Sequence, residues 1–67
     1  MYYFKENVSN LIKKKYKARY IAEESGITET YFSLLLNRKQ HCPKRTALTI
    51  TKILNNKAKI EDYFEIK

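Results

Sequence analysis

Residues Ala18–Asn37, ARYIAEESGITETYFSLLLN, carry helical patterning on both sides of the chain's single glycine. Ahead of it, Ala18, Ile21, Ala22 and Ser25 recur at three and four residues, which gives a small apolar face able to sit against another helix. Gly26 predicts the end of that helix. A residue just past a helix C-terminus usually takes the left-handed backbone conformation, which costs a side chain about 1 kcal/mol and glycine little. Thr28 then has the chemistry of an N-cap for a second helix from Glu29 to Leu36. Ile27 and Phe32 flank it at the spacing of a hydrophobic staple, which would fix the angle at which that helix leaves the turn.

Outside this stretch the same period recurs. Phe4, Val8, Leu11, Ile12 and Tyr16 form the stripe of an amphipathic first helix from about Lys5 to Lys15, and Lys13, Lys14 and Lys15 complement the negative pole at its end. Asn37 is expected to stop the Glu29–Leu36 helix in a left-handed conformation. The loop Arg38 to Cys42 is basic and is a candidate clamp on a phosphate backbone. Pro43 suits the first turn of a fourth helix, whose inward face is Ala47, Ile50, Ile53 and Leu54 and whose end is Asn55. A short fifth helix, Ile60 to Phe64, has Glu61 and Asp62 in its first turn and Ile60 and Phe64 as core anchors. These elements predict an all-α fold of five helices with short connections, one domain over residues 1–67.

A chain of 67 residues is near the lower limit for a single self-sufficient core and leaves no room for an enzyme cleft of ordinary size. One cysteine, Cys42, cannot form an internal disulfide, which fits a reducing compartment. No apolar run approaches the roughly 18 residues of a membrane span. His41 and Cys42 are two potential ligands where zinc needs four, so no metal site is expected. A cytoplasmic chain with no cofactor and no small-molecule ligand is the resulting expectation.

Charge is the informative part of the composition. There are 14 Lys and Arg against 7 Asp and Glu, a net charge of +7. Between Thr30 and Ile60 stand Arg38, Lys39, Lys44, Arg45, Lys52, Lys57 and Lys59, with no carboxylate among them. A polyanion suits such a stretch, since each phosphate neutralised releases condensed counterions. A solvated basic surface is the plainer account of the same residues.

The segment Gly26 to Asn37, GITETYFSLLLN, resembles the turn and recognition helix of the Cro/C1-type (XRE-like) helix-turn-helix family of small phage and mobile-element regulators. Phe32 and Leu35 match its buried pair, Ile21-Ala22 its apolar-alanine pair, and Ile50, Leu54, Ile60 and Phe64 the apolar frame of its last two helices. The resemblance runs from about Val8 to Phe64. It implies a compact lambda-repressor-like DNA-binding domain with the helix-turn-helix at about residues 18–37. It also implies a double-stranded DNA operator as partner, a homodimer on that DNA, and the cytoplasm of a bacterial or phage-infected cell.

By that resemblance Thr28, Glu29, Thr30 and Ser33 would face base edges, and Lys17, Arg19, Tyr31, Asn37, Arg38 and Lys39 the phosphates; base edges specify and phosphates position. The sequence departs from the family at four places. Leu34 stands where a Lys or Arg is common, Ala18 where a glutamine is common, and Arg38 where a glycine usually follows the asparagine. Aligned by apolar spacing, Ile12 and Leu36 occupy the places of an Arg–Glu ion pair, so an apolar contact is expected there. The Tyr-rich termini (Tyr2, Tyr3, Phe4, Tyr63, Phe64) read equally well as a core lid or as a dimer contact. Because a fold does not fix a function, a protein-binding inhibitor or adaptor module, gripping its partner through Leu34 and the terminal aromatics, is the alternative reading.

Overall fold

The computed structural model describes residues 1–67 as β1 (Tyr2–Phe4), α1 (Glu6–Lys15), α2 (Ala18–Ser25), α3 (Glu29–Leu36), α4 (Lys44–Leu54), α5 (Ile60–Tyr63) and β2 (Phe64–Ile66). The turn between α2 and α3 follows the expected chemistry. Gly26 is left-handed at φ 74°, and its N–H and that of Ile27 return to the carbonyls of Glu23 and Ala22 at 3.2 and 3.0 Å. This pair of bonds satisfies carbonyls that the helix end would otherwise leave open. Thr28 Oγ1 accepts the N–H of Tyr31 at 3.0 Å, which caps α3. Ile27 packs against the core and Phe32 lies within it.

One core draws on every element except α5, whose Ile60 and Tyr63 pack against it half-buried. Phe4, Val8, Ile12, Ile21, Ala22, Phe32, Leu35, Leu36, Cys42, Ala47, Ile50 and Phe64 are buried in a single cluster. Ile12 and Leu36, the places of the family's ion pair, are both members. The Ser9 hydroxyl donates to the Leu36 carbonyl, which ties α1 to the last turn of α3. Thr51 is buried as well, with its hydroxyl donating to Ala47 O at 2.8 Å. That internal bond offsets the desolvation of a polar residue on the inward face of α4, while Ile53 and Leu54 are only half-buried.

Several expectations need correction. The fold is mostly helical but is not all-α, because Tyr2, Tyr3 and Phe4 pair antiparallel with Ile66, Glu65 and Phe64. Aromatic and β-branched residues suit a half-buried pleated strand, and the pairing stacks Phe4 on Phe64 with ring centroids 4.3 Å apart. Phe4 therefore reaches the core from a strand rather than from the first helix. Leu11 and Tyr16, the flanks of the expected stripe, are exposed, since α1 buries only the narrow face of Val8, Ser9 and Ile12. The fifth helix stops at Tyr63, and Phe64 belongs to β2. Pro43 is the N-cap of α4 rather than a first-turn residue.

The end of α3 differs most from its reading. Asn37 has φ −85° and ψ 4°, and Arg38 is the residue at positive φ, 58°. Arg38 N–H bonds to Leu35 O at 3.1 Å and Lys39 N–H to Leu34 O at 3.0 Å. The loop beyond does not reach outward. It folds back until Tyr2 and Cys42 exchange both backbone hydrogen bonds at 3.0 Å.

Candidate nucleic-acid interface

The outer face of α3 is built by subtraction. Phe32, Leu35 and Leu36 turn inward, which leaves Glu29, Thr30, Ser33 and Leu34 facing solvent at helical spacing. With Ala18 at the start of α2, these four line one shallow concavity of about 400 Å³. Three of the four residues expected at base edges thus share a surface. The fourth, Thr28, is exposed but does not line the concavity, and its side-chain oxygen is engaged in the cap. Ala18, small where a glutamine is common in the resembling family, forms part of the floor, and Leu34 is 37 % exposed within it.

The expected phosphate contacts divide into three groups. Lys17, the N-cap residue of α2, and Lys39, just past α3, are exposed at the two ends of the α2–α3 unit, and neither forms an ion pair. Asn37 and Arg19 are exposed but engaged. Asn37 Oδ1 accepts from Lys13 Nζ at 2.7 Å while its Nδ2 donates to Ser33 O at 2.9 Å. Arg19 pairs along its own helix with Glu23 at 3.2 Å, and with its side chain 79 % exposed the pair adds little stability.

Tyr31 and Arg38 are turned away. The Tyr31 hydroxyl donates to His41 O at 3.2 Å, and burial, with Cys42 nearby, raises its pKa. Arg38 Nη2 meets Glu65 Oε2 at 2.9 Å and Nη1 meets Glu6 Oε2 at 3.9 Å, with the guanidinium side chain 27 % exposed. Both residues join the α3–β1–β2 corner together rather than offering a charge or donor outward. Lys44, another base of the carboxylate-free stretch, borders the sheet beside Ile60 and Phe64. The seven bases are therefore not one face.

Lys13, expected to complement the negative pole of α1, also reaches Asn37 across 24 residues of chain. His41 and Cys42 do not converge with other ligand types, and no group of three or more His, Cys, Asp or Glu is assembled. Burial pushes the Cys42 thiol up to about 11, and its sulfur contacts Tyr2 O at 3.7 Å. No helix is long and apolar enough to cross a membrane.

The site thus belongs to a small, mostly helical domain with a polar, uncovered helix face and a two-stranded sheet on its other side. Comparison with protein-family models, with curated proteins and with solved structures finds no match to this chain.

Proposed function

We propose that this chain is a sequence-specific double-stranded DNA-binding regulator of phage repressor or Cro type, a lambda-repressor-like helix-turn-helix domain whose α3 enters the major groove. The observation that carries the reading is the shared concave surface of Glu29, Thr30, Ser33 and Leu34, with Asn37, itself bonded to Lys13, donating to Ser33, and with Lys17 and Lys39 exposed at the ends of the α2–α3 unit. A helix face of short polar groups fits a groove whose information is a pattern of donors and acceptors, and cations at its edges fit the flanking phosphates. Thr30 and Ser33 can donate or accept, and Leu34 suits a thymine methyl. Glu29, unpaired and exposed, can accept from a cytosine amino group. The protein would act in the cytoplasm of a bacterial or phage-infected cell.

Selection of bound sites from random duplex DNA tests this directly. With Lys13, Lys17 and Lys39 each neutralising a phosphate, and Arg19 exchanging its weak exposed pair with Glu23 for a fourth, log K should fall against log salt with a slope of about −4 per bound chain. Lys17→Ala should reduce that slope by about one, and Arg38→Ala should leave it nearly unchanged because Arg38 is already neutralised within the fold. Glu29→Gln keeps the shape and removes the charge. It should relax preference at one base pair of each half-site while raising affinity for other DNA. A uniform gain over every single-base variant would remove Glu29 from readout and leave Thr30 and Ser33. A chain that selects no duplex even at low salt favours the adaptor reading, in which the exposed Leu34 is the grip for a protein.

A further inference from the structure

The corner between α1 and α2 carries a cluster that neither the core nor the concave face of α3 uses. Residues Lys13–Tyr20 read KKKYKARY, five cations and two tyrosines in eight positions, and the chain has no carboxylate from Asn7 to Ala22. The negative pole of α1 accounts for cations in its last turn, but Lys17 and Arg19 open α2, where the positive pole disfavours them. Folding exposes the whole run. α1 ends because Tyr16 turns extended, at φ −126° and ψ 150°, and Lys17 follows at φ −85° and ψ 124° before α2 begins. Of the eight residues Ala18 alone is half-buried, and Tyr16 and Tyr20 are 40 % and 57 % exposed. Their rings have no aromatic neighbour, since the aromatic pairs lie at Tyr3–His41, Phe4–Phe32 and Phe4–Phe64. Arg19 is the one cation of the five that meets a carboxylate, Glu23, and that pair is exposed.

We propose that this corner binds single-stranded DNA, with bases stacked on Tyr16 and Tyr20 and phosphates on the cations between and beside them. Every base has a π face, so stacking on tyrosine tolerates any sequence, and a run of cations suits the backbone charge. In a duplex those faces are covered by neighbouring bases, so exposed rings fit a strand that is already open. The run contains no carboxylate or amide, the groups suited to holding a ribose 2′-hydroxyl, so nothing in it calls for RNA. An anionic lipid surface would match the charge but needs an apolar helix face to enter it, and α1 commits Val8 and Ile12 to the core, leaving Leu11 outside. The inference turns on Lys14, Lys15, Tyr16 and Tyr20, which the duplex reading does not use. Lys13, Lys17 and Arg19 would serve both, so a single strand and an operator compete for part of one surface.

The test is fluorescence anisotropy of a labelled oligothymidylate of about ten nucleotides, long enough for one such site. Binding by the full chain is expected at about 50 mM salt, with log K falling against log salt at a slope near −3 for about four phosphates of a single strand. Tyr16→Ala and Tyr20→Ala should each weaken it about fivefold or more, whereas Tyr16→Phe and Tyr20→Phe, which keep the ring, should not. Both tyrosines are exposed, so circular dichroism of the alanine variants should match that of the parent chain. Binding that both alanine variants leave unchanged would reflect charge alone and overturns the proposal. So does equal loss in the phenylalanine variants, equal loss in Leu11→Ala, or an oligouridylate bound about tenfold more tightly than the oligothymidylate. A chain that binds the strand but selects no duplex keeps this proposal and removes the regulator reading; one that selects a duplex and ignores the strand does the reverse.

Discussion

Two helix ends in this protein have the same backbone and different residues at its critical position. After α2 the left-handed residue is Gly26; after α3 it is Arg38. Both ends close with the same two bonds, from the left-handed residue to the carbonyl three back and from the next residue to the carbonyl five back. At Gly26 the conformation is nearly free, and a β-carbon added there would meet nothing within 4 Å. At Arg38 a β-carbon is present and the backbone carries about 1–2 kcal/mol of strain. What the arginine adds is reach: its guanidinium ties the corner to Glu65 on β2 and to Glu6 on α1. The first turn is a local device that sets one helix against another. The second is a tertiary one, strained in itself and held by the sheet that closes over it.

The largest expected effect reads the second corner through Cys42, where the chain leaving Arg38 meets β1. With the thiol held near 11 by burial, alkylation at pH 8 should be on the order of a hundredfold slower than in the unfolded chain. Arg38→Ala should speed it more than Gly26→Ala does, although the glycine substitution costs more stability. The reverse order would mean that the Arg38 pairs do not hold this corner. The same raised thiol pKa makes a stability contribution that is complete below the ordinary thiol range and is lost as pH rises through about 11, and Cys42→Ala should flatten that part of the profile.

Next in size is Gly26→Ala, which should cost about 1–2 kcal/mol through φ alone. Because no neighbour obstructs the methyl, Gly26→Asn should recover much of the loss, since asparagine tolerates the left-handed region. Thermal unfolding checks both, at about 4–8 °C per kcal/mol for a domain of this size. At the other corner the comparison is between two variants. Arg38→Gly and Arg38→Ala both lose the ion pairs, but glycine also relieves the strain and should be the more stable by about 1 kcal/mol. Equal stabilities would mean that the corner is unstrained.

The smallest effect is Glu65→Gln. It breaks a half-exposed pair and should cost about 0.5 kcal/mol, shrinking as salt is added. An effect of the same size in a chain already carrying Arg38→Gly would show that Glu65 acts through something other than Arg38.

Local rules carried the reading of α2, its turn and α3 because every signal there lies within a few residues of its partner. Gly26, the Thr28 cap and the apolar spacing of Ile21, Ala22, Phe32 and Leu35 act through i+3 and i+4 neighbours, and the sequence contains those neighbours. The outward face of Glu29, Thr30, Ser33 and Leu34 follows from the same period. It was legible for that reason, although the sequence reading grouped Thr28 with Glu29, Thr30 and Ser33 and only the structure separates it from their concavity.

Tertiary structure decided what depends on distant partners. Tyr2-Tyr3-Phe4 became a strand only because Phe64-Glu65-Ile66 lies beside it, more than sixty positions along the chain at one end. That sheet in turn recruited Arg38 and Tyr31 from their expected outward roles, through Glu65 and the His41 carbonyl. Lys13 gained a partner in Asn37 for the same kind of reason, the docking of α1 on the end of α3. A side chain's period fixes the direction in which it leaves its helix. Which distant group it meets there is set by how the packed elements close over one another, and short-range spacing holds no information about that closure.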